Sequence, residues 1–199
     1  FSPQKNAAKY FKDYKKSHTA EQTLTELTRR DKQELIYFDS VLESISRSST
    51  KAEISEIREE LTAGGYLKAP ATKPKKAQAP VLREYKSAEG YRIIVGKNNR
   101  QNDYITTTLA AKNDLWFHTK NIPGSHVVVM CGGKEVSDET LIYAATLAAE
   151  NSGAAAGAQV PVDYTPIKFV KKPNGAKPGM VIYTTNKTLY VTPDNGGKL

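Results

Sequence analysis

Between Lys68 and Pro80 the chain passes through thirteen residues that hold three prolines and four lysines but no large apolar side chain. Nothing in this stretch can enter a core, and its prolines remove backbone donors that a helix or a central strand needs. It reads as an extended, solvated tether. Every folded element must therefore lie wholly before it or wholly after it. The chain divides into residues 1–67, a linker at residues 68–80 and residues 81–199, and the last of these is long enough for a self-standing core.

The first segment has helical periodicity. Pro3 suits a first helical turn behind Ser2 as cap, and Thr19 with Gln22 has capping-box spacing, a signal for a helix start or restart. Leu24, Leu27, Leu35, Phe38, Leu42 and Ile45 follow the alternating three-and-four spacing of a coiled-coil seam, which Asp31 interrupts. A second capping box, Thr50 with Glu53, opens a short helix that carries Ile54, Ile57 and Leu61 on one face and stops at Gly64-Gly65. The short helix can cover only part of the longer stripe. Two readings stay open: an ordinary helical hairpin, or one half of a coiled-coil arm that self-associates when isolated. A helix of about 40 residues would span roughly 60 Å, which suits reach better than a compact core.

After the linker the period becomes strand-like. Tyr91 to Val95, Asp114 to Thr119, His126 to Cys131, Ile167 to Val170, Met180 to Thr184 and Thr188 to Thr192 are short, β-branched or aromatic, and bounded by turn residues. One helix is expected from about Asn102 to Ala111. A second is expected from a cap at Ser137 to about Gly153, with Ala144, Ala145, Ala148 and Ala149 allowing close approach to a sheet. The fold class is α+β, an α/β mixed-sheet domain preceded by a long coiled-coil helix and a short helix. Mixed pairing is expected because the last strands lie too close together for helical crossovers.

The net charge of +8 is unevenly placed. Residues 1–67 hold 11 basic against 11 acidic side chains, the linker holds four lysines and no acid, and residues 81–199 hold 14 against 10. A cationic excess confined to the linker and the second domain attracts phosphate without regard to sequence, so polyanion binding leads the function classes. The longest apolar runs, such as Val127 to Cys131, fall far short of a bilayer span of about 20 residues, so membrane insertion is not expected. A lone cysteine, Cys131, can form no intrachain disulfide and favours a reducing, cytoplasmic setting. Phe1-Ser2-Pro3 offers neither an initiator Met nor a signal peptide, as expected of an excised fragment.

Three polar loops carry the candidate RNA contacts. In the first, Lys97, Asn98, Asn99, Arg100, Gln101 and Asn102 join a strand to a helix, which makes either a phosphate cradle or a capping loop. In the second, alternation puts Trp116, His118 and Lys120 on one face of a strand, and a Pro123-Gly124 turn returns the chain with His126. That group could be an exposed surface for stacking on bases and bonding to backbone, or part of the core. The third loop presents Lys171, Lys172 and Lys177 among two prolines and two glycines and is favoured for phosphate contact over a merely soluble turn. No zinc spacing, serine elbow or Walker pattern occurs, so no catalytic residue, metal or cofactor is expected and the chain is read as non-enzymatic. A metal nuclease assembled from Asp103, Asp114 and His118 is the enzymatic rival.

These segments resemble the NFACT family, in particular its bacterial RqcH branch, whose members also carry the name fibronectin-binding protein A. The resemblance rests on Gly96 to Tyr104, Asp114 to His126, Pro161 to Thr165 and Lys171 to Gly179, which look like signatures of the NFACT-R domain. Ser2 to Ala7 with Tyr10, Phe11 and Tyr14, and Ile57 to Leu61 with Gly65 to Leu67, look like the two ends of the second half of the family's coiled-coil region. Such a resemblance implies a ribosome-associated quality control factor. It would bind large ribosomal subunits obstructed by peptidyl-tRNA and support alanyl-tRNA recruitment for untemplated alanine tailing of the stalled chain. The implied partners are the large subunit, rRNA and tRNA, with the tRNA-recruiting motif in an N-terminal domain outside this sequence. A surface adhesin for fibronectin is the alternative.

Overall fold

The computed structural model describes residues 2–68, 80–155 and 157–193, so the expected tether lies, apart from its two end residues, outside the described residues. Two compact units result, residues 1–38 and residues 39–199. The helix α1 (Pro3–Ser46) opens where expected, with Ser2 Oγ accepting from the Lys5 amide at 3.4 Å. It does not restart at Thr19, whose carbonyl accepts from the Thr23 hydroxyl inside an unbroken helix. In the first unit the stripe residues Leu24, Leu27 and Leu35 are exposed, and so are Leu42 and Ile45 in the second.

The helix α2 (Lys51–Ala63) carries the expected capping box: the Glu53 amide donates to Thr50 Oγ1 at 3.2 Å and the Glu53 carboxylate accepts from the Thr50 amide. It ends at Gly64, and Gly65 follows in the left-handed region at φ 80°. Its buried face holds Ile57 together with two glutamates, Glu53 and Glu60. Apolar periodicity does not announce such an arrangement.

The second unit contains a six-stranded sheet in the order β1 (Arg83–Lys86), β2 (Arg92–Val95), β4 (Val127–Val129), β3 (Leu115–Thr119), β5 (Val160–Pro166), β8 (Lys187–Val191). Every pairing in it is antiparallel, where mixed pairing was expected. A separate hairpin joins β6 (Val170–Lys171) to β7 (Ile182–Tyr183). The α+β class holds. Alternation along the strands divides the interior in two. Ile93, Val95, Phe117, Val127, Val129, Val160 and Val162 pack against Ala144, Ala145, Leu147, Ala148 and Ala149 of the helix α4 (Asp138–Glu150). Ile94, Trp116 and Val128 form the opposite face, with Ile105 and Ile167.

Boundaries shift where side-chain chemistry overrides period. Asn98 caps the helix α3 (Asn99–Tyr104), starting it three residues before the expected Asn102, and the chain continues as a π-helical turn over Ile105–Leu109. The span Ile167 to Val170, expected as a strand, is a 3-10 turn over Ile167–Phe169 followed by β6. The strand β5 was not expected because Pro161 and Pro166 sit within its bounds.

Candidate nucleic-acid interface

The first polar loop meets the acidic face of α2. Glu53, Glu56 and Glu60 recur at the three-and-four spacing that brings helical side chains to one side, with Glu59 beside them. The Lys97 ammonium donates to Glu53 at 2.6 Å, and the Arg100 guanidinium donates to Glu59 at 2.8 Å. Glu56 accepts from the amides of both Asn98, at 2.6 Å, and Gln101, at 2.8 Å. The Asn99 amide donates to Ser40 Oγ at 2.9 Å and to Glu60 at 3.2 Å. Charge-assisted bonds of this kind are the strong ones. The Lys97 ammonium, aided by the Ser49 and Thr50 amides, holds the Glu53 carboxyl down at about 2.

The structure thus fills with carboxylates the positions read as a phosphate cradle. The capping alternative is also present: Asn98 Oδ1 accepts from the Gln101 amide at 2.9 Å, and Gln101 Oε1 accepts from the Lys97 amide at 3.2 Å. Asn98, Asn99, Gln101 and Asn102 are all buried.

The second loop is core at Trp116 and His126, half-buried at His118 and exposed at Lys120. Trp116 is 0% exposed, and its indole lies parallel to the His118 ring, 5.7 Å between centroids, edge-on to His126 at 5.1 Å and tilted against Tyr183 at 4.9 Å. Exposed base stacking by Trp116 is therefore corrected: a side chain on the face of a central strand is covered by whatever packs there, here the π turn and the β6–β7 hairpin. Burial pushes the His118 imidazole down to about 4 and that of His126 well below its ordinary value, so both rings are neutral at pH 7. His126 Nδ1 and Thr106 Oγ1 share a hydrogen bond of 2.8 Å.

The three loops interlock instead of acting separately. Asn102 Oδ1 accepts from the His126 amide at 3.0 Å, joining the first loop to the second. Asp103 accepts from the Lys172 ammonium at 2.5 Å and from the Gly179 amide at 3.4 Å, joining the first to the third. Two glycines allow the close approach: a Cβ at Gly96 would stand 2.2 Å from Asn102 Oδ1, and one at Gly179, where φ is +75°, 2.9 Å from Asn99 Oδ1. Lys177 lies over the Tyr66 ring, 4.6 Å from its centroid. Of the candidate cations, Lys97, Arg100, Lys172 and Lys177 are thus engaged within the chain, while Lys120 and Lys171 are exposed to solvent.

The acidic rivals are spoken for as well. Asp114 is buried and accepts from the Ala111 and Gly132 amides at 2.8 and 2.7 Å, and Asp103 holds Lys172. Among the described residues no group of three or more His, Cys, Asp or Glu is placed to hold a metal ion, and no helix is long and apolar enough to cross a membrane. A residue that sequence reasoning missed is Asp163, buried in β5, which accepts from the Tyr183 hydroxyl at 2.8 Å and the Thr188 hydroxyl at 2.6 Å and ties the hairpin to the sheet.

Comparison with known proteins matches residues 1–80 to the NFACT N-terminal and middle domains, and residues 82–185 to the NFACT protein RNA binding domain. The chain is 48% identical to the Rqc2 homolog RqcH of Bacillus subtilis over 97% of its own length and 34% of that protein's. It is 46% identical to the Rqc2 homolog RqcH of Streptococcus suis over 96% of its own length and 34% of that protein's. It thus spans about a third of these curated relatives. Among solved structures it superposes on the C-terminal part of the fibronectin/fibrinogen-binding protein from Streptococcus suis with a TM-score of 0.88 and 43% identity, covering 97% of this chain and 77% of that one. The chain belongs to the NFACT family.

Proposed function

We propose that this chain serves ribosome-associated quality control in the cytoplasm as a non-enzymatic RNA-contacting part. It would hold the large ribosomal subunit obstructed by peptidyl-tRNA and support alanyl-tRNA recruitment for alanine tailing. The observation that carries the reading is the match of residues 82–185 to an RNA-binding domain, in a chain 48% identical to RqcH. Lys120 and Lys171 are the candidate cations from the sequence that stay available for rRNA or tRNA phosphates. The exposed leucine stripe of α1 supports self-association of the isolated chain.

The test is cosedimentation of the full chain with purified large subunits, either bare or obstructed by peptidyl-tRNA. Retention that favours the obstructed particle is expected, and no retention on either sinks the reading. A second reading, fibronectin binding, draws on the name of the Streptococcus suis structural relative. Saturable binding to immobilised fibronectin by a chain that ignores ribosomal subunits would favour it.

A further inference from the structure

At the end of the sheet opposite the three interlocked loops, three other segments meet. Leu115 begins β3 and pairs with Val129 at the end of β4 on one side and with Pro166 at the end of β5 on the other. The Asp114 carboxylate, already holding the Ala111 amide, reaches the Gly132 amide, and its carbonyl accepts from the Ile167 amide at 2.9 Å. The Lys112 carbonyl accepts from the Lys168 amide at 2.9 Å. Gly133, at φ +86°, lies so close to Asn113 that a Cβ there would stand 3.0 Å from the Asn113 Cβ. Segments 111–114, 131–134 and 167–168 are therefore one rigid corner, pinned by a buried carboxylate.

Each segment brings one exposed lysine to this corner: Lys112, Lys134 and Lys168. None of the ion pairs among the described residues involves them; Lys168 lies 5.3 Å from the Phe169 ring centroid. Asp114 is buried, accepts from backbone amides and makes no ion pair with the three lysines, while Glu135 beside Lys134 is an exposed acid that follows in sequence. Free cations on a rigid frame position a phosphate backbone without reading bases.

We propose that the corner formed by Lys112, Lys134 and Lys168 is a phosphate-backbone contact for RNA. It deepens the RNA-binding reading above and rests on it. All three lysines fall within the segment matched to the RNA-binding domain. They also lie at the opposite end of β3 from Lys120, so the two sites can be separated by mutation.

The experiment measures binding of the full chain to purified large ribosomal subunits over a salt series. The proteins are the wild type, a variant with Lys112→Ala, Lys134→Ala and Lys168→Ala together, and Lys120→Ala for comparison, with thermal melts to confirm folding. Each lost phosphate contact should flatten the log-affinity against log-salt slope by about 0.7 to 0.9, so the triple variant should be shallower by about 2 to 3, and Lys120→Ala by no more than about 1. A wild type that binds with a triple variant of unchanged slope overturns the corner and leaves the RNA-binding reading standing. A wild type that does not bind at all overturns both.

Discussion

Two lysine-bearing regions of the same domain differ in what their charges touch. In the loop that ends in α3, Lys97 and Arg100 face glutamates of α2, and amides on the same loop do likewise. At the far end of the sheet, Lys112, Lys134 and Lys168 face solvent. The more conspicuous basic sequence is thus the more neutralised surface. The lesson is that a positive loop is a binding site only after its intramolecular partners have been counted, because a cation already desolvated against a carboxylate has little field left for RNA.

The comparison predicts a graded set of effects. Largest is Trp116→Ala, which should cost about 3 to 5 kcal/mol by urea denaturation because it empties a fully buried site. A loss below about 1 kcal/mol would return this face to the surface and break the contrast.

Next is acid lability. The His118 and His126 imidazoles have folded values below their ordinary 6.5, so the unfolded chain binds protons first and stability falls as pH drops below about 6.5, for His118 down to about 4. The Glu53 carboxyl, held near 2 against an ordinary 4.5, contributes stability above about 4.5 that is lost as pH falls toward 2. Each group alone gives a slope of at most about 1.4 kcal/mol per pH unit. Urea midpoints that stay flat between pH 7 and 4 would contradict the neutral histidines, and Glu53→Gln should make the lower limb of the decline shallower.

Smaller still is Lys97→Ala, which leaves the buried Glu53 carboxylate without its ammonium and should cost about 2 kcal/mol in the same assay. A negligible loss would mean that the Lys97–Glu53 pair does not help to hold α2 against the loop. Smallest are Arg100→Ala, whose partner pair is largely exposed, at about 0 to 1 kcal/mol, and the three corner lysines to Ala, each within about 0.5 kcal/mol. A corner substitution that destabilised the fold by several kcal/mol would show that those lysines are structural.

Local signals were legible where one residue type acts on its own neighbours. The Thr50–Glu53 capping box, the Ser137 cap of α4 and the alternation through Trp116 and Phe117 are all where the sequence places them. The strand β5 was hidden by its prolines, and the π turn after α3 has no compositional signature. Asp163 gave no sign of its part, because its two donors arrive from residues 20 and 25 positions later.

By itself, the sequence determined the helical N-terminal segment, the α+β class, the excess of positive charge after residue 67 and the motifs that mark the family, all of which depend on spacing or composition along the chain. Only the tertiary structure decided which lysines are free, that Trp116 and His126 are core, and that the three polar loops form one network. Those outcomes depend on partners such as Glu53, Glu56, Glu60, Asp103 and Asp163, which lie far away in sequence. Burial and pairing between distant residues leave no periodic trace for a reader of the sequence to follow.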